Sequence, residues 1–335
     1  MTDWIGRNVF VTGVNGFVGG NLTKELVSRG ANVFGLVRSV SEKNFISYEG
    51  VNSKIVQVIG DLCDRDLLER VLSENAIDTV FHLAAQVEVG VGALSPFTTW
   101  ETNVRGTYTL MESIRLFAPE ISSIVIASTD KAYGTYPIEM MPYKEDYPLK
   151  PQYPYDTSKA CSDLIAQSYS TDLFGMPIAV TRFCNIYGPG QLNFTAVVPD
   201  AICSALNYSK FEPRGNGEQI RDFLFVGDVV DLYMRIAEAL RSDPERIRGQ
   251  IFNAGTNEPR TIRSVVTEVF ELCGSNADLS IILSKMAERI TTGEIDTQFM
   301  DFEKVNSYFD WSPSTPFRDG LEQTILWFRN YLSHR

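Results

Sequence analysis

Asn8-Val9-Phe10-Val11-Thr12-Gly13-Val14-Asn15-Gly16-Phe17-Val18-Gly19 is the stretch that decides the fold. Its first five residues form an apolar run of strand length that stops at a glycine turn. Leu22, Leu26 and Val27 then recur at helical spacing, and Arg29-Gly30 closes the helix. Strand, glycine turn and helix follow in the order that a dinucleotide site requires. Gly13 permits the tight turn, Gly16 lets backbone approach a pyrophosphate, and Gly19 lets the helix pack close to the sheet. Asn15, Phe17 and Val18 complete the turn and count among the expected cofactor contacts.

Outward from this stretch the pattern repeats. The next strand, Asn32 to Val37, ends in Arg38-Ser39, and no Asp or Glu occurs from Ala31 to Ser41. An acidic residue at this point accepts hydrogen bonds from the adenosine ribose of NAD, whereas an Arg faces the 2′-phosphate of NADP. Arg38 therefore favours NADP, with NAD as the alternative. Lys54 to Gly60 reads as a strand ending in Asp61-Leu62. Asp61 stands where a carboxylate accepts from an adenine amino group, or where it caps a helix over Arg65 to Leu72. Thr79 to Leu83 is the following strand. Leu83, Ala84 and Ala85 at its end are expected to meet a flat cofactor, and Gln86 the substrate. Asn103 to Leu116 is a helix, and Ile124 to Ala127 closes the parallel series. The alternation implies an α/β fold, a Rossmann-type doubly wound parallel sheet with right-handed crossovers.

The strand Ile124–Ala127 stops in Ser128-Thr129-Asp130-Lys131-Ala132-Tyr133-Gly134, a tip rich in groups that move protons. A Pro-rich loop follows, and Tyr155-Asp156-Thr157-Ser158-Lys159 opens an amphipathic helix. Ligands of such sheets bind beyond the carboxyl ends of the strands, so this polar tip is a site candidate. Ile178 to Phe183 extends the sheet. After Gly188-Pro189-Gly190-Gln191 the alternation becomes irregular. Phe194 to Phe211 reads as helical, Gln219 to Phe225 as a strand, and Val265 to Leu272 and Gly320 to Leu332 as helices. Residues 1–188 are expected to form the dinucleotide-binding domain carrying Tyr155 and Lys159. Residues 189–335 are expected to form a smaller C-terminal substrate-binding lobe, with some segments returning to the main sheet.

A net charge of −12 over 335 residues speaks against binding nucleic acid or anionic membrane through a general field. A phosphate-bearing ligand must then be held by local devices. No apolar run approaches the ~18 residues of a membrane span, and no signal-like segment opens the chain, so a cytoplasmic location is expected. Cys63, Cys161, Cys184, Cys203 and Cys273 lack C-x-x-C spacing, which predicts free thiols and no metal site. His82 and His334 are too few for a His-based triad, and His82 reads as a packing residue at a strand end.

Six motifs occur in order: Thr12-Gly13-x-x-Gly16-Phe17-x-Gly19, Asp61-Leu62, His82-Leu83-Ala84-Ala85, Tyr155-x-x-x-Lys159, Arg182-x-x-Asn185-x-Tyr187-Gly188-Pro189-Gly190 and Arg221-Asp222-Phe223-x-x-Val226-x-Asp228. With them the chain resembles the extended short-chain dehydrogenase/reductases that act on nucleotide sugars. The resemblance implies that Tyr155 and Lys159 are the catalytic pair, that Lys159 also holds the nicotinamide ribose, and that Thr129 hydrogen-bonds the sugar 4-hydroxyl. It also implies that Asn185 and Arg221 bind the substrate diphosphate, a task that suits the planar fork of an Arg. Family members commonly pair through two helices per subunit, here those beginning near Asn103 and Tyr155, so a homodimer or homotetramer is expected.

Asp130 and Lys131 discriminate within the family. An epimerase needs only to take and return a hydride at C4, whereas a dehydratase needs a further acid and base. The Asp-Lys pair resembles CDP-glucose 4,6-dehydratases and related sugar-nucleotide 4,6-dehydratases. The expected catalytic set is therefore Thr129, Asp130, Lys131, Tyr155 and Lys159, acting on a nucleotide-diphosphate sugar to give a 4-keto-6-deoxy product. The alternatives are a nucleotide-sugar 4- or 2-epimerase and, from another class, a non-catalytic dinucleotide sensor.

Overall fold

The structure is a computed structural model and describes residues 4–290 and 295–334. The chain divides into two units. The first takes the residues up to Gly134, then Glu145–Phe183 and Val230–Phe252. The second takes Thr135–Lys144, Cys184–Val229 and the residues from Asn253 on.

The first unit is built on a parallel sheet of β1 (Asn8–Thr12), β2 (Asn32–Val37), β3 (Val56–Ile59), β4 (Thr79–His82), β5 (Ser123–Ala127) and β6 (Ile178–Phe183). A seventh strand, Ile251–Ala254, lies beside β6, and the order across the sheet is Ile251–Ala254, β6, β5, β4, β1, β2, β3. The order reverses between β1 and β4, the switch point where doubly wound sheets open a crevice. Side chains alternate across each strand. On one face Phe10, Val80, Ile124, Ile126 and Ile178 join Leu68 and Val71 of the helix Arg65–Glu74 and Leu110 and Ile114 of the helix Gly106–Phe117. On the other, Phe81 packs against Trp4 and edge-on against Tyr233. Both faces are covered, which explains why the strands read as nearly continuous apolar runs.

Register places the site. Thr12 is paired with His82, and His82 with Ile126. The glycine turn, the Leu83–Gln86 segment and the Ser128–Tyr133 tip therefore leave the sheet side by side at its carboxyl edge.

The second unit holds two small sheets. Ile220–Arg221 pairs antiparallel with Arg260–Thr261 and parallel with Thr297–Gln298. Asn185–Tyr187 pairs parallel with Phe223–Phe225. The single strand expected from Gln219 to Phe225 is thus two strands in different sheets, broken at Asp222. That carboxylate is fully buried and accepts from the backbone N–H groups of Thr256 (2.8 Å) and Asn257 (3.2 Å) and from the Thr256 hydroxyl. A Cβ on Gly255 would lie 2.2 Å from Asp222 Oδ2, so the loop closes on the carboxylate only because residue 255 is glycine.

Other boundaries also move. The helix expected over Phe194 to Phe211 is confined to Val197–Ala205, because Asn207 takes a left-handed conformation (φ 66°) that ends it. The strand expected from Lys54 begins only at Val56, since Asn52–Lys54 forms a 3₁₀ turn. The helix expected from Asn103 opens with a wide π turn over Trp100–Arg105. Among the described residues no helix is long and apolar enough to cross a membrane.

Candidate active site

The glycine turn is built by close approaches of backbone. Gly13 has φ 79°, and a Cβ there would come within 2.8 Å of the Ala84 nitrogen at the end of β4. A Cβ on Gly19 would lie 2.2 Å from the Gly13 carbonyl oxygen. The helix Phe17–Ser28 is capped by Gly16, which offers no side chain to its N–H groups, and its first turn holds no acidic residue. Asn15 Oδ1 is buried beside this turn without a protein partner. The open N–H groups of this helix N-terminus fit the diphosphate of a dinucleotide, whereas the orphaned Asn15 oxygen calls for a donor such as a hydroxyl.

The ends of β1 and β4 are locked together through His82. Thr12 Oγ1 accepts from the N–H groups of Leu83 (3.2 Å) and Ala84 (3.1 Å), which leaves its own proton for His82 Nδ1 at 2.8 Å. The imidazole then carries its hydrogen on Nε2 and donates to Thr107 Oγ1 at 2.9 Å, and Thr107 donates to the Asn103 carbonyl. Burial first, and the Lys159 charge second, push the His82 pKa down to about 3, so the ring stays neutral. His82 braces the ends of β1 and β4, in keeping with its reading as a packing residue.

Around this edge, Leu83, Ala84, Ala85 and Gln86 follow β4 in partly buried positions. Gln86 is pinned by Asn103, whose Oδ1 accepts from the Gln86 N–H (2.7 Å) and whose Nδ2 donates to its carbonyl (3.1 Å). Asn103 Nδ2 also donates to Ser158 Oγ (2.8 Å), and Ser158 donates to the Tyr155 carbonyl (2.7 Å). Asn103 thereby ties the segment after β4 to the helix Pro154–Ser170. Arg38 is exposed at the end of β2. Asp61, exposed after β3, accepts from the Cys63 N–H at 2.8 Å, while the cap of the helix Arg65–Glu74 is Asp64, which accepts from the Leu67 N–H at 3.1 Å. The capping role open to Asp61 thus falls to its neighbour. Leu62 is buried against Gly106.

The tip after β5 holds the polar cluster. Thr129 donates to Asp130 Oδ1 at 3.0 Å, and Asp130 is buried with Oδ2 lacking any hydrogen-bond partner. Tyr155 and Lys159 lie one turn apart on the helix Pro154–Ser170. The Tyr155 phenol is pushed well above its ordinary range, by burial first and then by Asp130 and Asp156; a hydrogen bond with Thr129 opposes this. Lys159 is buried and donates to the Ala127 carbonyl at the end of β5. Burial lowers its pKa to about 8, against the pull of Asp163.

Two further residues, to which the sequence assigned no role, belong to this cluster. Asp156 is buried beside Tyr155, and burial pushes its carboxyl up to about 6. Arg182 on β6 makes a buried pair with Asp163 of the helix Pro154–Ser170 and donates to the Tyr133 hydroxyl at 2.9 Å. Asp156 occupies a free position of Y-x-x-x-K, and Arg182, although it opens the Arg182-x-x-Asn185 motif, finds its partners only through the fold.

Asn185 and Arg221 lie in the second unit. Asn185 Nδ2 donates to the Asp222 carbonyl at 3.4 Å. Arg221 is buried, and its Nη1 donates to the carbonyls of Ile220 (2.8 Å) and Asp296 (3.2 Å).

Residues 10–324 match the family profile described as GDP-mannose 4,6 dehydratase. A dTDP-glucose 4,6-dehydratase of Xanthomonas campestris pv. campestris is 31% identical over 343 residues, covering 98% of this chain and 93% of the relative. The structure of the dTDP-glucose 4,6-dehydratase of Bacillus anthracis in complex with NAD aligns with a TM-score of 0.83 at 27% identity, covering 98% of each chain. The UDP-glucose 4-epimerase of Thermus thermophilus in complex with NAD aligns with a TM-score of 0.80 at 27% identity, covering 96% of this chain and 99% of that one.

Proposed function

The chain belongs to the GDP-mannose 4,6-dehydratase family, and from that premise we propose that it is a nucleotide-sugar 4,6-dehydratase, a carbon–oxygen lyase. The observation that carries this reading is the Thr129-Asp130-Lys131 tip, which sets an acid and a base at the end of β5 beside the Tyr155 helix.

Gly13, Asn15, Gly16, Phe17, Val18 and Gly19, with Asp61, Leu62, Leu83, Ala84 and Ala85, would hold an NAD(P) dinucleotide, which would supply reversible hydride exchange with the sugar. Tyr155, hydrogen-bonded to Thr129, takes the proton of the 4-hydroxyl. The C4 carbonyl acidifies C5, and Lys131 removes the C5 proton. Asp130 delivers a proton through its unpartnered Oδ2 to the departing C6 hydroxyl, and one water leaves. Lys159 keeps the ribose and the phenol in register, Gln86 contacts the sugar, and Asn185 and Arg221 serve the diphosphate.

Between the two dinucleotides the finer reading is NADP, supported by Arg38 and by the absence of acidic residues from Ala31 to Ser41. Arg38→Ala is expected to weaken NADP selectively; equal loss for NAD sinks that preference. A homodimer or homotetramer is supported by the exposed Tyr108, Leu116 and Leu164 on the helices Gly106–Phe117 and Pro154–Ser170.

The test is incubation with dTDP-, CDP- and UDP-glucose in deuterated water, with products read by NMR. A 4-keto-6-deoxy sugar carrying solvent deuterium at C5 is expected. Inversion of a hydroxyl without loss of water establishes the epimerase instead, and no turnover with any sugar favours a sensor.

A further inference from the structure

Asp222 divides residues 220–225 between two sheets of the second unit. Arg221, before it, belongs to the sheet with Arg260–Thr261 and Thr297–Gln298. Phe223, after it, is paired with Asn185. Arg221 and Asn185, the two side chains assigned to the diphosphate, therefore stand in different sheets, and Asp222 is the joint between them.

The carboxylate of Asp222 fixes that joint. It is fully buried, and its Oδ2 accepts from the N–H groups of Thr256 (2.8 Å), Asn257 (3.2 Å) and Met300 (3.5 Å), while Oδ1 accepts from the Thr256 hydroxyl. The plainest role of such a carboxylate is to close a loop, since buried N–H groups need acceptors. The backbone carbonyl of the same residue does something further. It accepts from the N–H of Asn185 (3.2 Å) and also from its side-chain Nδ2 (3.4 Å). Only the nitrogen end of an amide can donate to a carbonyl, which fixes the way the Asn185 side chain faces, and Nδ2 carries a second hydrogen for another acceptor. Closing a loop requires no grip on a side-chain amide. On the other side of the joint, Arg221 Nη1 is held by the Ile220 and Asp296 carbonyls.

We propose that Asp222 is a positioning residue for the sugar nucleotide: its carboxylate sets the bend that holds Arg221 and Asn185 in one fixed relation, so that both meet a single diphosphate. This rests on the reading that those two residues serve the diphosphate. Donors set in place beforehand bind without the cost of ordering them, whereas a slack joint at residue 222 would let each strand turn by itself.

The test is calorimetric titration of the full chain with dTDP, CDP and UDP, which returns both the affinity and the number of sites. Asp222→Ala is expected to weaken diphosphate binding by roughly 10- to 100-fold, with the affinity for the dinucleotide, held by the first unit, unchanged. Asp222→Asn should recover most of the loss, because its oxygen serves the three N–H groups and its nitrogen donates to the Thr256 hydroxyl. Fewer sites at wild-type affinity in Asp222→Ala would mean a loss of folded protein only, and overturns the proposal. Thr256→Val removes one donor and spares the backbone; it should weaken the diphosphate about threefold, and an unchanged affinity counts against the proposal equally. Adding Asp222→Ala to Asn185→Ala with Arg221→Ala should cost nothing more, and full additivity refutes action through those residues. If Asn185→Ala with Arg221→Ala binds diphosphate as the wild type does, the diphosphate reading fails and takes the proposal with it. If that pair weakens binding and Asp222→Ala does not, the proposal alone fails.

Discussion

Arg182 and Asp163 form a two-pronged ion pair inside the first unit, Nε to Oδ2 at 2.8 Å and Nη2 to Oδ1 at 3.1 Å. Both side chains are almost wholly shielded from solvent. The remaining Arg182 nitrogen donates to the Tyr133 hydroxyl and to the Glu145 carbonyl, and the guanidinium lies 4.8 Å from the Tyr133 ring centre. One cation thus fastens β6, the helix of Tyr155 and Lys159, and the turn of Asp130 and Lys131.

Removal of one partner leaves the other charged and buried. Asp163→Ala is expected to destabilise the fold by roughly 3–5 kcal/mol, measured by urea denaturation. Arg182→Met with Asp163→Leu, which removes both charges, should cost far less, and equal losses from the single and double changes would refute the ion-pair account.

Gly19 faces a carbonyl with no room to yield. Gly19→Ala places a methyl 2.2 Å from the Gly13 oxygen, so the helix must lift from the turn. Dinucleotide affinity, followed by calorimetry, should fall at least about tenfold, which is ~1.4 kcal/mol. Gly50→Ala, where no atom lies within 4 Å of the added methyl, should leave affinity unchanged, although its positive φ costs some stability.

The Lys159 ammonium, lowered to about 8 by burial, is charged below that pH and neutral above it. The rate of dinucleotide reduction should therefore decline as pH rises through about 8. Lys159→Met should abolish this alkaline limb along with most of the rate, and a limb that survives in the variant belongs to another group.

Asp156 links pH to stability with a definite sign. Its carboxyl is raised from 3.8 to about 6, so the folded state prefers the protonated form. The resulting stability is fully present below 3.8 and is lost as pH rises through about 6. Asp156→Asn should accordingly gain ~1–3 kcal/mol at pH 8 and nothing at pH 3, as read from denaturation midpoints. A loss of stability at pH 8 would mark Asp156 as a stabilising cap and nothing more.

The parts legible in the sequence are those fixed by neighbours along the chain. The Gly13–Gly19 turn declares itself because strand, turn and helix are contiguous, and the parallel order follows from the alternation of elements. Asn103 reads as the start of a helix, yet its amide holds Gln86 and Ser158 across 17 and 55 residues. Asp222 interrupts a run whose residue types favour one strand, because a loop more than 30 residues later captures its carboxylate. Asp61 and Asp64 are equally suited to cap a helix, and only backbone conformation separates them. Side-chain hydrogen bonds between distant segments leave no periodic trace in sequence.

The first unit is assembled from three separate stretches of chain, and the last of them arrives after much of the second unit has been made. Glu238 accepts from Trp4, and the Thr181 hydroxyl donates to that of Tyr233, so residues near both ends of this path meet in one core. Ribosomal synthesis must therefore deliver Val230–Phe252 before the N-terminal core can close. A chimaera that borrows a relative's second unit has to splice in Thr135–Lys144, Cys184–Val229 and the residues from Asn253 on as three separate grafts, with Val230–Phe252 retained from the host.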